Sequence, residues 1–109
     1  MAPQEPIEVV DATKLMELKS QGVLVVDIRT KDEYDQGHIA GVKHIDFYRS
    51  DFMEAMSELD KNSPLIIHCA KGGRSGKASK KLKEAGFMKI YDYTGGYTDW
   101  LSKGLEIEK

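Results

Sequence analysis

Residues 65–79 read LIIHCAKGGRSGKAS: three apolar residues, the chain's only cysteine, then a run of glycines, bases and hydroxyls. Leu65-Ile66-Ile67 follows Pro64, and a short apolar run opened by proline reads as a buried strand. From Ser75 to Ala85 the apolar positions Ala78, Leu82 and Ala85 recur at helical spacing, and Gly86 ends the element. The stretch is therefore a strand, a glycine-rich turn and a helix, with Cys69 at the strand's carboxyl end. In open parallel sheets, reactive groups collect at that end.

The same alternation extends in both directions. Ile7 to Val10 is a strand, and Asp11 caps a helix from Ala12 to Lys19 that Gln21-Gly22 closes. Val23 to Val26 is a continuous apolar run of the kind buried on both faces. Thr30 to Gln36 makes a short helix, with Thr30 as cap and Glu33 completing a capping box. Gly37 and Gly41 bracket a turn before an extended piece at Val42 to Ile45, and Phe52, Met53, Met56 and Leu59 form one helical face. Ile90 to Tyr93 is a further strand, and Gly95-Gly96 precede a closing helix with Trp100 and Leu101. Strands alternating with helices predict an α/β fold whose mostly parallel central sheet is flanked by helices.

Bulk properties narrow the function. The 109 residues suit one domain, expected over 7–109 behind a flexible N-terminus at 1–6. The net charge of −2 argues against nucleic acid as partner, and the lack of a long apolar run argues against a membrane span. One cysteine excludes an internal disulfide and any zinc site of paired cysteines. No leader is recognisable, so cytoplasm is the expected compartment, with periplasm the alternative if a signal peptide has been removed. Small size and a charged surface are compatible with a monomer.

Three familiar chemistries fit the loop poorly. A nucleotide P-loop needs glycine where Lys71 stands and a hydroxyl where Ala78 stands. A metal site would need Cys69 with His38, His44 or His68, none at a characteristic ligand spacing, so neither metal nor other cofactor is expected. A cysteine-dependent phosphatase places arginine six positions after its cysteine; here Arg74 stands five after Cys69, although the His68-Cys69 pair keeps that reading as an alternative.

Cys69-Ala70-Lys71-Gly72-Gly73-Arg74-Ser75 resembles, at every defined position, the Cys-x-x-Gly-x-Arg-Ser loop of the rhodanese sulfurtransferases. Val26-Asp27-Ile28-Arg29, Glu33-Tyr34 with Gly37-His38-Ile39-Ala40-Gly41, and Gly95-Gly96 with Trp100 and Gly104-Leu105 are similar to further motifs of that family, in the same order. The departures, at Gly41 to Asp46 and at Glu106 in place of proline, lie away from the loop. The resemblance implies a three-layer rhodanese-like domain that moves a sulfane sulfur through a persulfide on Cys69. It implies a small anionic donor such as thiosulfate, or a persulfide, and a thiol, cyanide or protein acceptor. A carrier loaded only by a protein partner is the alternative within the same chemistry.

The residue types suit that chemistry. The nucleophile must be a thiolate, and a free thiol is mostly protonated at neutral pH. A cysteine between a strand end and a helix N-terminus meets unpaired backbone N–H groups, and Gly72 and Gly73 permit the turn that aims them inward. Ala70 to Ser75 are thus the expected substrate-binding residues, with Lys71 and Arg74 supplying charge and Ser75 capping the helix or donating to the loop. The resemblance implies that Asp27 and Arg29 brace the loop. The spacing of Arg29 and Glu33 allows an ion pair. His38 is expected to be architectural, and Tyr97 and Trp100 to be core or lid residues.

Overall fold

The computed structural model describes residues 6–109. Of the N-terminal segment expected to be flexible, residues 1–5 therefore lie outside the described residues. The Pro6 carbonyl accepts the Ile90 N–H at 2.6 Å.

The elements follow in the order β1 (Ile7–Val10), α1 (Ala12–Ser20), β2 (Leu24–Asp27), α2 (Lys31–Gln36), β3 (His38–Ile39) and β4 (Lys43–His44). Then come α3 (Phe52–Ser57), β5 (Leu65–His68), α4 (Gly73–Glu84), β6 (Ile90–Tyr93), α5 (Gly96–Ser102) and β7 (Ile107–Glu108). Five strands form one parallel sheet in the order β1-β6-β5-β2-β4. The central strands β5 and β2 pair Leu65 with Leu24 through to His68 with Asp27. Their carboxyl ends therefore finish side by side, and the Cys69 loop and the Asp27-Arg29 segment leave the sheet as neighbours.

Two cores cover the two faces, because successive strand side chains point to opposite sides. Val26, Ile67 and Ile90 pack with Phe52 and Met56 of α3 and Ala78 and Leu82 of α4. Val25, Ile66 and Tyr93 pack with Leu15 and Leu18 of α1 and Trp100 of α5. This is the helix–sheet–helix layering expected, with strands apolar on both faces. Each fully buried Ile or Leu stabilises by about 1.5–3 kcal/mol, so β5 is held rigidly beneath the loop.

The helix starts are local decisions. The Asp11 carboxylate accepts the Lys14 N–H at 2.8 Å. Thr30 and Glu33 form the reciprocal capping box. Helix α4 differs from expectation: it begins at Gly73, so Gly72 is its cap and Ser75 lies inside the first turn. Ser75 is thus not the helix cap. The last strand was also not legible: β7 pairs antiparallel with β3, Ile107 facing Ile39, through only two residues on each side. Among the described residues, no helix is long and apolar enough to cross a membrane.

Candidate active site

Cys69 directly follows β5 and is 1% exposed. Its Sγ accepts the Gly72 N–H at 3.1 Å and the Ser75 N–H at 3.4 Å, and lies 3.7 Å from the Ser75 hydroxyl. Burial pushes the thiol up, but the N–H and hydroxyl of Ser75, followed by the N–H groups of Gly72 and Lys71, outweigh it, so Cys69 titrates below an ordinary cysteine. Neutral dipoles bonded to the charged form produce this shift. No general base is involved.

The turn depends on Gly72, whose φ of +97° lies in the left-handed region, where a Cβ would come within 2.8 Å of the Thr94 carbonyl. Gly73 is different from expectation. It starts the helix at negative φ with open space around it, so the turn needs one glycine of the pair.

The first turn of α5 holds the loop from behind. The Cys69 carbonyl accepts the Tyr97 N–H at 2.9 Å, and the Ala70 carbonyl accepts the Thr98 N–H at 3.1 Å. Gly96 makes that approach possible: a Cβ there would lie 2.5 Å from both loop carbonyl oxygens. His68 Nδ1 lies 3.0 Å from the Cys69 carbonyl and must carry the proton, since a carbonyl only accepts. Burial keeps His68 below its ordinary pKa, against the opposing pull of Asp27, and so neutral.

Asp27 and Arg29 brace this rear wall. Arg29 Nε lies 3.0 Å from both Asp27 carboxylate oxygens, and Nη2 donates at 2.8 Å to Oδ2 and at 2.8 Å to the Gly37 carbonyl. The guanidinium stacks 4.0 Å from the centre of the Tyr97 ring. Both residues are buried.

The front of the loop carries the remaining charge. Arg74 is held by two bonds to Glu33, at 2.6 Å and 3.0 Å, whereas Arg29 pairs with Asp27. The spacing-based pairing of Glu33 with Arg29 is thus replaced by one across 41 residues, which no local signal reveals. Arg74 holds the Glu33 carboxyl down at about 2, and Arg74 is raised in turn. Lys71 is exposed and has no ion pair among the described residues. Beside Ala70 a groove of about 460 Å³ runs between Arg29, Glu33, Tyr97 and Leu101.

The three histidines do separate work. His38 Nδ1 donates to the Tyr34 carbonyl and His44 Nε2 to the Arg29 carbonyl, while the rings of both stack on Tyr34. Trp100 is buried in the core beneath α5, and Tyr97 lines the rear wall. Sequence reasoning missed Gly96 as the close-approach residue and Glu33 as the partner of Arg74. The Gly95-Gly96 pair was the available signal for the first.

A buried cysteine ringed by backbone N–H groups can hold an anion on sulfur, whether thiolate or persulfide. The chain is similar to known proteins. The thiosulfate sulfurtransferase 16 of Arabidopsis thaliana chloroplasts is 33% identical over 106 residues, 88% of each chain. The thiosulfate sulfurtransferase GlpE of Pseudomonas fluorescens SBW25 is 38% identical over 84 residues, 76% of this chain and 74% of the relative. Among solved structures, a rhodanese-related protein from Thermoplasma volcanium superposes with a TM-score of 0.81 at 28% identity, covering 93% of this chain and 97% of the other. A rhodanese-like domain protein from Staphylococcus aureus gives 0.77 at 30% identity, covering 94% and 99%. With residues 11–103 matching the Rhodanese-like domain as a family, and the motif cysteine set in its anion cradle, the chain belongs to the rhodanese-like domain family.

Proposed function

We propose that this protein is a sulfurtransferase that carries sulfane sulfur as a persulfide on Cys69. The observation that carries the reading is the set of N–H groups from Gly72 and Ser75 on Cys69 Sγ. They favour the thiolate before transfer and can follow the negative charge as it moves outward. The Cys69 thiolate attacks the outer sulfur of thiosulfate, the S–S bond of the donor breaks, and sulfite leaves with the bonding pair. The terminal sulfur of the persulfide, now anionic, is then attacked by cyanide or by a thiolate, which departs with that sulfur and restores the Cys69 thiolate. Charge balances in both steps, and no proton transfer is required.

Lys71, exposed at the mouth, is the group suited to drawing in a dianionic donor, because Arg74 is already bonded to Glu33. That engagement also favours sulfur over phosphoryl chemistry, where the loop arginine must grip the transferred group. Support comes as well from the two relatives named thiosulfate sulfurtransferase.

The test is the intact mass of reductant-free protein before and after thiosulfate, with Cys69→Ser in parallel. One sulfur atom is expected to be gained, to be absent from the variant and to be removed by cyanide. No gain from thiosulfate, but a gain from a persulfidated protein, would mark a partner-loaded carrier. No gain from either, with hydrolysis of an aryl phosphate, would replace the reading with a phosphatase.

A further inference from the structure

The 16 Lys and Arg and the 18 Asp and Glu are not evenly spread along the chain. No carboxylate lies between Asp60 and Glu84, whereas Lys71, Arg74, Lys77, Lys80, Lys81 and Lys83 crowd the Cys69 loop and the helix after it. Helix α4 buries Ser75, Ala78, Ser79 and Leu82, and leaves Lys77, Lys80, Lys81 and Lys83 exposed. Elsewhere Lys14, Lys31, Arg49, Lys89 and Lys103 each form an ion pair with a carboxylate. On α4, among the described residues, Arg74 alone does so. The helix does not need this charge. Like charges three and four positions apart, as at Lys77 with Lys80 and Lys81, oppose it. The macrodipole favours the cations of the last turn, Lys81 and Lys83, but in the first turn it favours acids, and none is there. An aromatic edge adjoins the face: Lys81 Nζ stands 5.4 Å from the centre of the Phe47 ring, and the Tyr48 ring lies 5.5 Å from Phe47 while remaining 67% exposed.

We propose that the exposed face of α4 from Lys77 to Lys81, with Tyr48 at its edge, docks an acidic protein that presents a cysteine to Cys69 and takes up its sulfur. The partner's thiolate attacks the terminal sulfur of the persulfide, and Cys69 leaves as the thiolate. The extent of the face sets the size of the partner. Lys80 and Lys81 lie about 10–12 Å along the helix axis from Gly73, so a small anion held at the sulfur does not span the face. The unpaired lysines set the partner's sign, and an exposed tyrosine beside them is the kind of anchor that protein interfaces favour. Cys69 is 1% exposed, so an acceptor thiol has to be brought to it, and docking on the helix that starts at the loop does so. The surroundings favour a protein over a nucleic acid or a membrane. Helix α3 covers the same sheet face, and Glu54, Glu58 and Asp60 stand exposed along and after it. A long polyanion overrunning α4 meets those charges, whereas a protein with a local acidic patch avoids them.

The docking rests on the sulfur-transfer reading for its purpose, but its test needs no sulfur donor. Two short peptides each carry one cysteine capped as a thionitrobenzoate disulfide, and differ only in holding four Glu or four Gln. The chain has a single cysteine. Its thiolate attacks the peptide sulfur, the S–S bond breaks, and thionitrobenzoate leaves with the bonding pair, so the rate of release times the encounter. At low ionic strength the Glu peptide is expected to react about tenfold faster than the Gln peptide, the lower end of electrostatic steering. The gap is expected to close as salt is raised. Lys77→Gln, Lys80→Gln and Lys81→Gln combined are expected to shrink it to about twofold, while alkylation of Cys69 by neutral iodoacetamide stays unchanged. The proposal is overturned if the two peptides react alike, or if the triple variant keeps the full gap. A single-stranded oligonucleotide of equal charge that competes better than a cysteine-free Glu peptide overturns it in favour of nucleic acid. A dimer seen by sedimentation in the parent and lost in the triple variant overturns it in favour of a second copy of this chain. Failure to load sulfur from thiosulfate counts against the sulfurtransferase reading alone. A protein that loads sulfur yet treats the two peptides alike counts against the docking alone.

Discussion

The back and the front of the loop each carry an arginine–carboxylate pair, and the two pairs do different jobs. At the back, Arg29 and Asp27 have side chains only 4% and 0% exposed, and Arg29 also donates through Nη2 to the Gly37 carbonyl. At the front, Arg74 and Glu33 are 18% and 34% exposed. A buried pair must be matched in geometry because neither member can be left alone without water. A half-exposed pair is screened and worth little by itself. The back pair is therefore structural, fixing the wall on which the Cys69 carbonyl rests, while the front pair sets how much of the Arg74 charge is left free at the front of the loop. Neither cation touches the sulfur. Backbone N–H groups carry that task.

Breaking the back pair should have the largest consequence. Arg29→Ala leaves the Asp27 charge buried and unpaired, and is expected to cost about 3–5 kcal/mol, read as a lowered urea midpoint. A loss below 1 kcal/mol, in the range of an exposed pair, would erase the distinction between back and front. Gly96→Ala attacks the same wall without touching a charge. Its Cβ would meet the Cys69 and Ala70 carbonyls at 2.5 Å, with φ at +64°. Overpacking and the left-handed conformation together predict a loss of about 2–4 kcal/mol, with slower alkylation of Cys69 as the cradle shifts.

The smallest effect is expected at the front. Glu33→Gln keeps the capping acceptor toward Thr30 but releases Arg74 toward the loop. The expected stability loss is about 1 kcal/mol after allowance for solvent screening, with a fall in KM for thiosulfate of about threefold, the size of a screened surface interaction. The pH dependence sharpens this. The folded carboxyl is held at about 2 against an ordinary 4.5, so its contribution is complete above pH 4.5 and is lost as pH falls toward 2. The stability gap between parent and Glu33→Gln should close over that window and stay constant above it. A gap that persists at pH 2 would assign the effect to helix capping instead of the ion pair.

Much of this molecule was legible in its residues. Pro64 and Leu65 to Ile67 announced β5, Thr30 and Glu33 announced the start of α2, and the loop's spacing singled out Cys69. These are short-range signals, set by hydrophobic periodicity, by side chains that can reach a nearby backbone N–H, and by glycines where a turn demands them. The start of α4 was misplaced by two residues because glycine has poor intrinsic helix propensity, yet Gly73 stands in the first helical turn between Gly72 and Ser75, whose N–H groups reach the sulfur. The β3–β7 pairing was invisible because two residues are too few to show a period.

Sequence by itself determined the alternation of strands and helices, the position of the cysteine at a strand end, and the family motifs around it. Only the tertiary structure decided which carboxylate meets which arginine and which glycine admits the loop carbonyls. The physical reason is separation along the chain. Glu33 and Arg74 are 41 residues apart and meet because parallel pairing ends β2 and β5 side by side. Local chemistry writes the elements, and the register of the sheet chooses their partners.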